Sequence, residues 1–520
     1  MTPKRGVNSW RRSAILPATS TVDGRPERVH RKRIEAAVLD LRPIFFVAGL
    51  LLAVLGLAML LPAAVDAAAD NPDWQVFMVA AAVSAFVGIT LSLSNRCNIR
   101  ELSLRQAFLL TTLCWVVIAT FGALPLAFSS YLNLSYTDAF FEAMSGITTT
   151  GSTVVIGLDG APPGLLLWRA LLQWLGGAGI IVMAVAVLPM LQIGGMQLFR
   201  MESSDTSDKV LPRAAQIATS LTFLYVIFTG ICTSALWVAG MSPFDALAHA
   251  MTTIATGGFS TSDESIGHFR SELIDYIITV FMIIGSLPFV LYLQAVRGKP
   301  LRLWQDSQVR WFLTLAAGAI GVMVLWQWLG NGSGLRQALR YSSFNVVSIL
   351  TGTGYSTTDY SQWGAFAVGL FFFIMFIGGC AGSTSCGIKV FRFQVLYAYA
   401  SVQLRQLIQP HGVFVPHYNN RPIADNVVFS VMGFFFLFAV CYVVLAVALS
   451  ALGLDFVTAA SGAGSAIANV GPGLGDIVGP TGTFQSLPDA AKWLLSAGML
   501  LGRLELYTVL VLLSPAFWRV

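Results

Sequence analysis

Four runs rich in Gly, Thr and Ser recur along the chain in a common register. The first reads Met144-Ser145-Gly146-Ile147-Thr148-Thr149-Thr150-Gly151-Ser152-Thr153, and the second Met251-Thr252-Thr253-Ile254-Ala255-Thr256-Gly257-Gly258-Phe259-Ser260. The third reads Ile349-Leu350-Thr351-Gly352-Thr353-Gly354-Tyr355-Ser356-Thr357, and the fourth Ala466-Ile467-Ala468-Asn469-Val470-Gly471-Pro472-Gly473. In each, an aliphatic residue stands four positions before a glycine: Ile147/Gly151, Ile254/Gly258, Leu350/Gly354 and Ile467/Gly471. A monovalent cation stripped of water needs rings of oxygens in place of its hydration shell, and four backbone carbonyls per layer supply them. Turning successive carbonyls inward requires backbone conformations that glycine reaches without Cβ strain. Neighbouring Thr and Ser hydroxyls add further oxygens. The candidate filter ligands are the carbonyls of Thr149, Thr150 and Gly151, of Thr256, Gly257 and Gly258, of Gly352, Thr353 and Gly354, and of Asn469, Val470 and Gly471. No carboxylate ring stands at these positions, which argues against a divalent-cation site. One such run alone is an ordinary surface loop; four in register are an internal repeat. The Gly-rich stretch from Gly462 to Gly475 has no βαβ context, so it is not read as a nucleotide loop.

Two further features bear on a cation path. Gly378-Gly379-Cys380-Ala381-Gly382-Ser383-Thr384-Ser385-Cys386-Gly387 interrupts an apolar segment too long for one straight helix. Its small, flexible residues suit a gate lying across the path, with Gly378, Gly379, Gly382, Ser383, Gly387 and Lys389 as its candidate residues; a close-packed helix of small residues is the bland alternative. Arg503 lies mid-span in the last apolar segment, two residues before Glu505. Charges inside a membrane are costly and usually functional, so Arg503 is either an electrostatic barrier below the filter or a packing residue paired with Glu505 or with helix-end carbonyls. Lys389 either faces the path or marks the cytoplasmic end of the loop. Asp275, Arg169 and Lys492, near the outer ends of their segments, are read as interfacial or ion-paired rather than conducting.

The elements that position these residues follow from composition. The 520 residues are 56% hydrophobic and only 11% charged, with mean hydropathy +0.71; an ordinary soluble domain carries about 25% charged residues. Ten apolar segments are predicted as spans, near 43–65, 76–95, 105–128, 164–191, 215–240, 271–296, 309–330, 363–400, 425–452 and 488–516. Charged faces at helical period, which buried helices of a soluble protein require, are missing. The six cysteines are scattered without disulfide or zinc spacing, and five histidines leave little for a metal centre.

Basic residues set the orientation. With the N-terminus inside, the cytoplasmic segments hold Arg11, Arg12, Arg31, Lys32, Arg33 and Arg42, then Arg96, Arg100 and Arg105, and so on to Arg405 and Arg421. The connections 66–75, 129–163 and 454–487 have no Lys or Arg at all. This asymmetry predicts a multi-pass membrane protein with both termini cytoplasmic. The basic leader is no signal peptide; its charge suits binding to anionic lipid or nucleic acid, but a topogenic role is the simpler explanation, and membrane lipid rather than nucleic acid is the expected partner.

The expected fold is all-α and polytopic, with four pseudo-symmetric helix–pore loop–helix repeats around one pore, preceded by two extra transmembrane helices. The segments are a leader (1–42), two extra helices (43–100), and repeats over 101–210, 211–305, 306–422 and 423–520. Each outer connection begins with a stretch too short to span and then turns Gly- and Thr-rich, the profile of a re-entrant element. Asp138 and Asp245, each thirteen residues before a filter glycine, and Asp455, three residues further off, are expected to cap the short helices. Repeat three carries Arg336 and Arg340 there instead. The negative C-terminal ends of these helices then favour cations.

With these motifs the chain resembles the Trk/Ktr/HKT superfamily of potassium transporters, and within it the TrkH/TrkG branch. Besides the four filter runs, the resemblance rests on Gly176-Gly-Ala-Gly-Ile-Ile-Val182, on Gly378 to Lys389, and on Met499-Leu-Leu-Gly-Arg503-Leu-Glu505-Leu-Tyr507, and it covers roughly residues 40–520. It implies potassium as the transported substrate, no bound cofactor, a homodimer with one pore per protomer, and gating by a cytosolic nucleotide-binding ring of the TrkA type. In plant relatives a Ser in place of the first filter glycine goes with sodium permeation; the retained Gly151 implies potassium selectivity. The resemblance also favours the barrier role of Arg503. Cys386 departs from the family, where glycine is common, in a position that bears on gating.

Other classes fit less well. An ion-coupled transporter for another solute normally places ionisable residues along a midplane path, and few besides Arg503 are available. An intramembrane enzyme needs a Ser/His, paired-Asp or His/Glu constellation at one depth, and none is present. Within the transport reading, a sodium- or proton-coupled symporter and a sodium-permeable member of the superfamily are the alternatives.

Overall fold

The computed structural model describes residues 40–97, 102–186, 195, 210–419 and 421–519. The leader expected over 1–42, apart from its last three residues, and the basic positions Arg100, Arg200 and Lys209 lie outside the described residues.

The chain opens with α1 (Arg42–Ala58) and α2 (Leu60–Ala68), nearly continuous, followed by α3 (Trp74–Ser94). Glycines bring α1 and α3 together: a Cβ on Gly88 would lie 2.6 Å from both the Gly49 carbonyl oxygen and the Ala53 nitrogen. Such backbone approach gives dispersion contact where lipid offers no hydrophobic drive between helices. Polar side chains fasten this hairpin to the rest of the bundle. The buried Asp66 accepts from the Gly164 N–H at 2.6 Å, and Asp73 accepts from Ser129 and Ser130.

Four successive stretches share one order: a long helix, a short buried helix, an irregular return, and a further helix. The first stretch has α4 (Leu104–Gly122), α5 (Tyr136–Ile147) and α6 (Pro163–Ala186); the second has α7 (Val210–Val238), α8 (Pro243–Ile254), and α9 (Glu272–Ser286) with α10 (Phe289–Val296). The third has α11 (Ser307–Leu325), α12 (Leu335–Thr351), and α13 (Ala365–Ile374) with α14 (Val390–Ile408). The fourth has α15 (Asp425–Ala451), α16 (Phe456–Ala468), and α17 (Asp489–Arg503) with α18 (Tyr507–Leu513).

Seven helices among the described residues are long and apolar enough to span, and they match seven of the ten expected segments. The other three are broken. The 363–400 segment gives way after Ile374 and resumes at Val390, as its Gly run predicted. The segments 271–296 and 488–516, expected to be single spans, bend by 93° between α9 and α10 and by 117° between α17 and α18. Pro288 removes a donor at the first bend; positive φ at Glu505 and Leu506 makes the second.

The caps of the short helices also differ from expectation. Asp138 and Asp245 are not the capping residues. Ser135 and Ser242 are, accepting from the N–H of Asp138 and Asp245, while those carboxylates accept from the serine hydroxyls at 2.8 and 2.6 Å. Asp455 is a cap, as expected, and the Thr458 hydroxyl and N–H beside it hold its carboxyl below the usual range. The third short helix starts at Gly334 without a side-chain cap; its Arg336 and Arg340 instead pair with Glu272 and Asp275 of α9 at 2.7 and 2.6 Å.

Candidate functional site: a four-cornered ring and the loop beneath it

The four runs leave their short helices by the same turn. Thr150, Gly257, Thr353 and Val470 each donate their N–H to the carbonyl five residues back, at 2.8–3.0 Å. The residues just before them all have positive φ: Thr149 (52°), Thr256 (50°), Gly352 (74°) and Asn469 (52°). The glycines just after have positive φ as well: Gly151 (91°), Gly258 (81°), Gly354 (86°) and Gly471 (107°). In a plain strand successive carbonyls alternate in direction; alternating the sign of φ turns them to one side instead. Thr149 and Thr256 hold this conformation despite β-branching, a strain typical of functional backbone.

The four turns meet in a ring. A Cβ added to Gly151 would fall on the Gly257 carbonyl oxygen, one on Gly258 on that of Thr353, and one on Gly354 on that of Val470. Gly471 closes the circle, its Cβ position 2.8 Å from the Thr150 oxygen. All four glycines line one cavity of about 520 Å³, whose wall includes Ser152, Asp263 and Asp476.

Not every oxygen of the twelve candidate ligands is uncommitted. The Gly257 carbonyl accepts from Gln173 Nε2 at 2.6 Å, and the Gly471 carbonyl accepts from Ser152 and Ser465 hydroxyls at 2.7 Å each. The Thr150 and Thr353 hydroxyls are held by Thr148 and Thr351, both at 2.7 Å, so they back the ring rather than line it. Asn469 supports the same layer, donating to Thr150 Oγ1 at 2.9 Å.

Directly beneath runs the loop between α13 and α14. Its two ends pair, Lys389 N–H with the Ile377 carbonyl at 2.8 Å and Val390 N–H with that of Gly379 at 3.0 Å. Gly378 and Gly387 form this neck, in backbone contact and both with positive φ. Gly379 donates to Ser385 Oγ, Gly382 accepts from the Phe289 N–H at the bend of the second stretch, and Ser383 bonds the Cys380 carbonyl. The loop tip touches three corners: Thr384 bonds the Ile254 carbonyl at 2.9 Å, Ser385 that of Thr351 at 2.5 Å, and Cys386 Sγ lies 3.7 Å from Thr149 Oγ1. Thr384, Ser385 and Cys386 stand inside the run expected to form the gate but were not named among its candidate residues.

Arg503 supplies the fourth side. It is buried, and its guanidinium reaches the Thr384 carbonyl at 3.3 Å, Cys386 Sγ at 2.6 Å and the Gly176 carbonyl at 3.1 Å; its Nε has no partner among the described residues. Of the two packing alternatives, the Arg503–Glu505 pair is not what the structure has, whereas backbone carbonyls, those of Thr384 and Gly176, do hold the guanidinium. Glu505 accepts from Arg392 at 2.5 Å and lies 3.4 Å from Lys389 Nζ. Lys389 is therefore buried and paired at the loop's end. The three outer charges are also paired: Arg169 with Glu142 at 2.8 Å, Asp275 with Arg340, and Lys492 with Asp138 at 2.5 Å. Glu142 and Gln173, both touching the ring's strands, were not singled out from sequence; their only signal was a polar residue inside an apolar helix.

Comparison with known proteins agrees with this architecture. Residues 73–520 match the family model TrkH, described as cation transport protein. The Trk system potassium uptake protein TrkI of Halomonas elongata is 47% identical over 491 residues, covering 94% of this chain and 99% of that protein. The Trk system potassium uptake protein TrkH of Escherichia coli is 39% identical over 485 residues, covering 92% and 100%. The crystal structure of the potassium transporter TrkH from Vibrio parahaemolyticus superposes with a TM-score of 0.86 at 38% identity, covering 92% of this chain and 100% of that one.

Proposed function

We propose, from the premise that the chain belongs to the TrkH family of cation transport proteins, that it takes up potassium through the four-cornered ring. The observation carrying this reading is the closed circle of glycines, each against the carbonyl of the next stretch, at the floor of an outer cavity. On this reading the ring is a selectivity filter, and the chain comprises two extra helices (43–100) and repeats over 101–210, 211–305, 306–422 and 423–520. Potassium leaves its water in the outer cavity and exchanges it for ring carbonyls. The C-terminal ends of α5, α8, α12 and α16 abut the ring and favour a cation there.

The loop from Gly378 to Gly387 is the gate in this reading, and Arg503 holds it closed as a positive barrier. What supports this is the contact of the loop tip with three corners and of Arg503 with the tip. A homodimer, a cytosolic nucleotide-binding ring of the TrkA type that moves the gate, and cytoplasmic placement of both termini complete the proposal. The relatives named as parts of a Trk system favour such partners.

Growth at low external potassium tests the function. A cell lacking its own uptake systems should grow when it carries this chain with a TrkA-type subunit, and should take up rubidium. Failure to restore either, with the protein present in the membrane, would sink the proposal.

A further inference from the structure

One register position behind the ring carries a side chain that touches its own returning strand. Nine residues before the ring glycines stand Glu142, His249, Asn345 and Gly462. The first three are fully buried. Glu142 accepts from the Thr153 hydroxyl at 3.0 Å and the Val154 N–H at 2.9 Å. His249 Nε2 lies 3.0 Å from Ser260 Oγ. Asn345 donates to Thr357 Oγ1 at 2.9 Å and accepts from the Thr357 N–H at 3.3 Å. In the fourth stretch the position is glycine, and the preceding Ser461 accepts from the Leu474 N–H at 2.9 Å. Each strand is thus clipped to its own short helix two or three residues past the ring glycine.

Only the first clip is charged, and it alone extends through charge to the next stretch. Arg169 donates to Glu142 at 2.8 Å, to Thr153 Oγ1 at 3.2 Å and to the Ser260 carbonyl at 2.8 Å, with its guanidinium 4.2 Å over the Phe259 ring. One turn further along α6, Gln173 donates to the Gly257 carbonyl at 2.6 Å and accepts from the Phe259 N–H at 3.0 Å. Three side chains therefore hold the strand of the first stretch and that of the second in fixed register across one seam. A buried ion pair is weak evidence for stability, since apolar residues of the same volume do as well. Its use here lies in geometry: planar guanidinium and carboxylate groups fix several backbone atoms at once. Gln173 also places a donor on a carbonyl of the ring itself, against which Gly151 packs.

We propose that Glu142, Arg169 and Gln173 are positioning residues that set the separation of the first two ring corners, and thereby the preference for potassium over sodium. This rests on the reading of the ring as a cation filter. The two ions differ in size, so a corner that drifts outward or collapses inward changes how well each exchanges its water for carbonyls.

The test is uptake of rubidium into proteoliposomes with potassium or sodium as competitor, for the full chain and two variants. Gln173→Met keeps the side-chain volume and leaves no charge unpaired, so it carries the test should the other variant fail to assemble. The double variant Glu142→Gln/Arg169→Met removes both charges together. Each should lower the preference for potassium over sodium roughly two- to tenfold, the range one buried hydrogen bond covers. An unchanged ratio in Gln173→Met, or an equal loss for both ions, would overturn the proposal, because a purely structural role lowers uptake without changing preference. Gly151→Ser in the same assay separates the two readings. If it shifts the ratio while Gln173→Met does not, the positioning role of Glu142, Arg169 and Gln173 alone falls; if neither shifts it, the filter falls with it.

Discussion

At the residue scale the ring glycines are fixed by both space and backbone. Gly151 sits at φ 91° with its Cβ direction filled by the Gly257 carbonyl, so any side chain there moves two corners at once. Gly151→Ser should therefore weaken discrimination of potassium against sodium by at least tenfold, about 1.4 kcal/mol, while expression changes little; a potassium-to-sodium competition ratio unchanged from wild type would refute this. Arg503 touches the loop rather than the ring. Arg503→Ala removes the contacts with Thr384 and Cys386, and basal rubidium flux without any partner should rise several-fold; equal or lower flux would contradict a barrier. The sequence showed these glycines because their positive φ is a demand that residue type reveals. It did not show that Thr149 and Thr256 share the demand, since β-branched residues argue against such a backbone. Nor did it separate Arg503 from Glu505, because sequence proximity says nothing about which way two side chains leave a bent helix.

At the element scale the loop from Gly378 to Gly387 is fastened to the two unexpected bends. The Phe289 N–H after the first bend donates to Gly382, and Gly285 and Ser286 before it accept from Thr384 and Cys380. Glu505, in the second bend, holds Lys389 and Arg392 where the loop returns to helix. Glu505→Gln leaves two buried cations facing one neutral amide, and breaking such a cluster costs roughly 3–5 kcal/mol. A fall in the thermal unfolding temperature of the purified protein is expected, with much of it recovered in Glu505→Gln/Lys389→Met. No recovery in the double variant would show that Lys389 is not the cation Glu505 offsets. Hydropathy read both bent segments as single spans because apolar content is the same on either side of a bend. Pro288 was the one available sign of the first, and the second has no proline between Arg503 and Tyr507.

At the scale of the whole molecule, polarity is turned inward. Phe86, Phe373, Phe429 and Phe436 face outward with 65–71% of their surface exposed, as a lipid-facing surface requires, while Thr148, Thr149, Thr150, Thr252 and Ser348 are fully buried around the ring. Seven spans and the multi-pass class were legible because they rest on composition and hydropathy, which burial does not scramble; the transport family was legible through the motifs the chain shares with it. How four distant runs close into one circle was legible only as a shared register, since contact between distant stretches depends on packing. That closure has a thermodynamic consequence. Each ring corner comes from a different stretch, so a cation bound there links all four and is lost when any one unfolds. Binding to the folded state alone stabilises by RT ln(1 + [L]/Kd), about 2.7 kcal/mol at a hundredfold excess over Kd. Potassium should raise the unfolding temperature of the purified protein above that in sodium or choline at equal ionic strength, and Gly151→Ser should shrink the gap between potassium and sodium. Equal unfolding temperatures in all three salts would mean that no cation bridges the four corners. A gap that persists undiminished in Gly151→Ser would place the stabilising ion elsewhere in the protein.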